Sequence, residues 1–104
     1  MALHCPATLL VAPAPREEDD RRRLLAALAD ERVLAVVTAP DDATGRLVAD
    51  ELDAPLEADP GLASPSVDDA VLGAVADLHR GETVLVLTCS GGGGEAPFVR
   101  VEIG

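Results

Sequence analysis

Three short runs of aliphatic and β-branched residues recur along this chain, and each one stops at a strand breaker. Ala7 to Val11 (ATLLV) ends in Ala12-Pro13-Ala14-Pro15, Val33 to Thr38 (VLAVVT) in Ala39-Pro40, and Thr83 to Thr88 (TVLVLT) in Cys89, Ser90 and four glycines from Gly91. Apolar runs of five or six residues without polar alternation suit strands buried on both faces. A parallel sheet covered by helices on both sides provides that environment, so the runs predict an α/β fold.

The segments between them carry helix signals. Glu17, Glu18, Asp19 and Asp20 are followed by Arg21, Arg22 and Arg23, with Leu24, Leu25 and Leu28 as an apolar stripe reaching about Asp30. Acids ahead of bases suit the helix dipole and predict i,i+4 pairs, Glu17 with Arg21 and Asp19 with Arg23. A second helix is predicted to start at a cap on Asp41 or Asp42 and run to about Leu52, with Leu47, Val48 and Leu52 inward and Gly45 weakening it. A short strand over about Pro55 to Ala58 leads into the turn Asp59-Pro60-Gly61 and a loop from Leu62 to Pro65. Ser66 with Asp69 resembles a capping box. It opens a third helix whose face reads Val67, Ala70, Val71, Ala74, Val75 and Leu78, with Gly81 as its C-terminal cap. Phe98 to Ile103 (FVRVEI) alternates apolar and charged residues, the pattern of an edge strand, predicted antiparallel, with Phe98 or Val99, Val101 and Ile103 competing for the inner face.

The order βαβαβαββ therefore predicts a three-layer α/β/α sandwich in one domain spanning 1–104. Phe98 is the sole aromatic residue, so aliphatic side chains must fill the core, and all eight basic residues are arginine. That composition fits a GC-rich coding sequence and a bacterial source. A net charge of −11 repels polyanions, which excludes nucleic acid and anionic membranes as expected partners. The apolar runs are far shorter than the ~20 residues of a membrane-spanning helix, and the N-terminus lacks the basic region and long apolar core of a signal peptide, so a cytoplasmic protein is expected.

The run ADLHRGETVLVLT from Ala76 to Thr88 and the segment LAALADERVLAVVTAP from Leu25 to Pro40 resemble the histidine phosphatase superfamily, in its phosphoglycerate-mutase-like branch. The resemblance covers most of the chain. It implies a sheet order of 3-2-4-1-5, with the fifth strand antiparallel at the edge and a pocket at the carboxyl ends of strands one and four. In that family strand one ends in Arg-His-Gly, a second arginine follows the proline after strand two, and a second histidine ends the GETVLVVSH-like strand. Carried onto this sequence, the first arginine falls on Ala12, the nucleophilic histidine on Pro13 and the glycine on Ala14. The second arginine falls on Ala43, with Arg46 one helical turn further on, and the second histidine on Cys89. The insert that carries the general acid and the lid is reduced here to about Gly61 to Pro65.

Phosphoryl transfer through a phosphohistidine needs an imidazole nucleophile and cationic donors for the phosphoryl oxygens. Alanine and proline supply neither, and Asp41 and Asp42 beside the same mouth repel phosphate. The expectation is a pocket lined by Ala12, Pro13, Ala14, Ala43, Cys89, Ser90 and Gly91 that has no catalytic residue, no metal and no cofactor. Such a protein would act through contacts with a protein partner or as a homodimer. The alternative is small-molecule or phosphate-compound binding, or a re-used enzymatic activity, at Cys89, Ser90 and the glycine amides. His4 and His79 are both expected at the opposite edge of the sheet, too isolated to ligate a metal. Cys5 precedes strand one and Cys89 follows strand four, which puts them ~15 to 20 Å apart in a parallel pair at about 3.3 Å per residue. A disulfide needs Cα atoms within about 7 Å, so two free thiols are expected.

Overall fold

Strand β4, Thr83–Thr88, is buried from Val84 onward and lies in the middle of a five-stranded sheet of order β3-β2-β4-β1-β5. A computed structural model of the chain describes residues 6–15, 17–40, 43–63, 69–88 and 98–103. The other strands are β1 (Ala7–Pro13), β2 (Ala35–Thr38), β3 (Leu56–Ala58) and β5 (Val99–Ile103). β1 pairs β4 in parallel from Thr8↔Thr83 to Pro13↔Thr88, β2 pairs β4 and β3 in parallel, and β5 pairs β1 antiparallel. The architecture is the α/β sandwich predicted, in the order predicted.

Helices α1 (Glu18–Ala27) and α2 (Ala43–Leu52) each connect a strand to one on its left in that order, while α3 (Asp69–Leu78) returns from β3 to β4 in the other direction. Right-handed crossovers then require α3 on the opposite face. The core obeys this. Leu10, Ala12, Val36, Leu85 and Leu87 pack with Leu24 and Leu28 of the α1 segment and Val48 and Ala49 of α2. Their alternating neighbours Ala7, Leu9, Ala35, Val37, Val84 and Val86 pack with Leu62, Val75 and Ala76.

β1 is two residues longer than its proline punctuation predicts. Thr8 and Ala14 both donate their amides to β4, to Glu82 O and Thr88 O at 2.9 Å, so the even-numbered amides of β1 face β4 and the odd-numbered ones face β5. Pairing with β5 ends at Val11↔Val99. Pro13 therefore stands where the missing N–H has no ladder partner, and the strand tolerates it.

Other expectations shift by smaller steps. β2 starts at Ala35, although the Leu34 amide already donates to Thr83 O at 2.8 Å. On α1 the charged pair is Glu18 with Arg22, at 3.2 Å, in place of the two predicted pairs, and both side chains are exposed. On α2 Val48 is buried and Leu52 half-buried, but Leu47 is 48% exposed, because the turn that meets the sheet is centred on Gly45, Val48 and Ala49. The helix ends in a Schellman arrangement: Ala54 N donates to Ala49 O, Asp53 N to Asp50 O, and Asp53 takes φ 52°. Phe98 packs with the α1/α2 layer while Val101 and Ile103 of β5 face the α3 layer, leaving Val99 61% exposed.

Two corrections concern the α3 side. Leu62, predicted in a loop, is fully buried, because Pro60–Ala63 forms a 3-10 turn that folds it under α3. The buried face of α3 is Val71, Leu72, Val75, Ala76 and His79, whereas Ala70 and Ala74 are exposed and Leu78 is 77% exposed. The face is rotated by one residue from the predicted stripe, which had no place for a buried histidine. The proposed capping box at Ser66 lies outside the described residues. Gly81, with φ 78°, makes the turn predicted for it.

Candidate functional site

The carboxyl ends of β1, β2 and β4 lie side by side where parallel α/β sheets hold ligands. The β1 contribution is Ala12, buried in the α1/α2 layer, then half-buried Pro13 and Ala14. The Thr88 hydroxyl, which ends β4, donates to Ala12 O at 3.4 Å, and Thr88 O accepts the Ala14 amide. β2 ends in Thr38, which is buried and receives the Asp59 amide on its carbonyl oxygen at 2.8 Å.

α2 approaches this rim through Gly45. A methyl group there would lie 2.7 Å from Thr38 Cγ2 and 3.0 Å from both Cβ and Oγ1, so a glycine is what lets the first turn of α2 sit against the end of β2. Ala43 opens that helix and is exposed, and Arg46 is exposed as well. Asp59, the acid at the end of β3, accepts the Gly61 amide on Oδ1 at 2.9 Å and so serves the turn. The structure thus brings Ala12, Pro13 and Ala14 together with Thr88 at the rim, with Ala43 on the adjoining helix. Cys89, Ser90 and Gly91 lie outside the described residues, as do Cys5, Asp41 and Asp42.

Among the described residues, the rim offers peptide groups and two threonine hydroxyls. That is an arrangement for closing the sheet end with main-chain hydrogen bonds. Acid–base or nucleophilic chemistry needs a titratable or activated group, and the ends of β1, β2 and β4 carry none among the described residues.

The polar cluster that sequence reasoning missed lies elsewhere. His79, just past α3, is buried, with Nδ1 2.8 Å from Glu82 Oε1 and Nε2 3.0 Å from Glu57 Oε1. The sequence offers no partner for this ring; the structure gives it a carboxylate on each nitrogen. Burial disfavours the charged ring, but the hydrogen bonds to Glu82 and Glu57 and the charges of both outweigh it and raise the pKa above the usual 6.5. Among the described residues no group of three or more His, Cys, Asp and Glu side chains is arranged to hold a metal ion. The legible signal was the spacing Leu72, Val75, Ala76, His79, which continues one helical stripe into a histidine, followed by Glu82 three residues on.

A scan of protein-family models, a search of curated proteins and a search of solved structures each find no match to this chain. Among the described residues no helix is long and apolar enough to cross a membrane.

Proposed function

We propose that this chain is a non-catalytic protein built on a histidine-phosphatase-like sheet, acting through contacts with another protein or with a second copy of itself. The observation that carries the reading is the end of β1. At the strand position where that reaction needs a nucleophilic imidazole beside an arginine stand Pro13 and a buried Ala12, and the neighbouring Thr88 hydroxyl is turned to the Ala12 carbonyl. A hydroxyl bonded to a peptide carbonyl, with no general base beside it among the described residues of the rim, is not activated to carry a phosphoryl group, and a peptide amide lacks the full charge of a cation. Exposed Leu34, Leu47, Leu56, Leu78 and Val99 give the surface apolar material for contacts, and the net charge of −11 favours a protein partner over nucleic acid.

The test is hydrolysis of a small aryl phosphate and of sugar phosphates, together with thermal melting in millimolar inorganic phosphate. Rates equal to buffer and an unmoved melting temperature are the expected results. Turnover that disappears in Cys89→Ala, or a phosphate-dependent rise of several degrees, would replace this reading with a re-used pocket.

A further inference from the structure

β3 is the weakest strand of the sheet by construction. It has three residues, and among the described residues it pairs with β2 alone and stands at the end of the sheet order. Glu57, its middle residue, reaches the His79 ring at 3.0 Å, while Glu82 takes the other ring nitrogen at 2.8 Å. The bend that brings Glu82 back is set by Gly81 at φ 78° and by the Glu82 amide donating to His79 O at 2.9 Å. The ring consequently joins three pieces of chain: the end of α3, the entry to β4 and the edge strand.

We propose that His79 is held as an imidazolium and acts as a proton-operated latch, fastening β3 to the α3–β4 corner and loosening that edge when the proton leaves. The donor count carries this. An ionised carboxylate only accepts hydrogen bonds, and a neutral imidazole has a single N–H. With a carboxylate oxygen within 3.0 Å of each ring nitrogen, both contacts are hydrogen bonds only if both nitrogens are protonated. Loss of one proton to solvent sets a nitrogen lone pair against a carboxylate, and one of the two ties becomes repulsive.

The charges acting on the ring come from β3 (Glu57) and from the segment entering β4 (Glu82); Asp77 of α3 and Arg80 in the turn after it pair with each other at 2.9 Å on the exposed side. The direction of the effect follows. The folded ring titrates above the 6.5 of a free histidine, so the latch is fully closed below about pH 6.5 and opens as pH rises through the elevated value.

Nitrogen-15 NMR of the imidazole in a His4→Gln background, where one histidine remains, reads the latch directly. Both ring nitrogens are expected to be protonated at pH 6.5, with a midpoint above that value. Hydrogen-exchange protection of the Asp59 and Val36 amides, which bond to Thr38 O and Pro55 O across the β2–β3 seam, should fall over the same pH interval. The fall is bounded at about tenfold per pH unit by which the midpoint is raised. The Ala14 amide, at the β1–β4 seam, should keep its protection. Glu57→Gln should lower the midpoint and abolish the pH dependence at β3. A midpoint at or below 6.5 overturns the proposal. So does a raised midpoint with β3 protection unchanged across it, and that measurement needs no variant at position 57 or 79.

Discussion

Alanine at Gly45 and alanine at Gly73 are the same chemical change in two helices, and the structure gives them opposite signs. In a helix interior, glycine to alanine is worth about 1 kcal/mol in favour of the folded state. At Gly73 in α3 no atom of the described residues beyond its chain neighbours and the helix's own backbone lies within 4 Å of the added methyl, so that gain should be realised in full. At Gly45 the methyl meets Thr38 Cγ2 at 2.7 Å and Thr38 Cβ and Oγ1 at 3.0 Å. Rotating the threonine exchanges its branches but leaves Cβ in place, and Thr38 is buried against the end of β2, so relief requires α2 to move off the sheet. Overpacking of this kind costs about 1 to 3 kcal/mol. After subtracting the propensity gain, Gly45→Ala should lose about 0 to 2 kcal/mol while Gly73→Ala gains about 1. The difference between the two is the clash alone, because propensity cancels. Urea melts with a common m-value would read it, and thermal melting should show the two variants moving apart by about 4 to 8 °C per kcal/mol. A Gly45→Ala protein stabilised as much as Gly73→Ala would refute the close approach of α2 to Thr38.

Leu62→Ala should cost about 2 to 5 kcal/mol in urea denaturation, as for a fully buried leucine, whereas Leu78→Gln should change stability by no more than about 0.5 kcal/mol; the reverse ranking would restore the unrotated face of α3 and the loop at Leu62. Asp53→Gly places the residue best suited to φ 52° at the end of α2 and should stabilise by about 0.5 to 1 kcal/mol by the same measurement, and a loss would mean that the aspartate side chain supports the turn.

The sheet was legible because its signals do not depend on context. Uninterrupted apolar runs such as Thr83–Thr88 mark strands covered on both faces, and the alternation Val99–Ile103 marks an edge. The right-handed crossover then leaves few arrangements. What was misread depended on the partner surface. Pro13 breaks a strand only where its amide would have been bonded, and pairing to β5 stops short of it. Gly45 weakens an isolated helix, yet it is the residue that allows α2 to close on Thr38. Apolar count alone favours Leu78 over His79 for the inner stripe of α3, the reverse of their burial. The second carboxylate on His79 comes from Glu57, 22 positions away in the chain, and no local pattern announces that contact.

Two polar features of the described residues stand apart in the sheet. At the carboxyl ends of β1 and β4 the hydroxyl of Thr88 is directed at a peptide carbonyl, so the groups at that rim complete the ladder. The histidine with ionisable partners is held instead by Glu82, just before β4, and by Glu57 of β3. An imidazole fixed by carboxylates on both nitrogens has no free lone pair with which to act as nucleophile or base. Its chemistry is spent on holding β3, and any variant that frees it, such as Glu57→Gln, should alter the stability of that edge without conferring phosphatase activity.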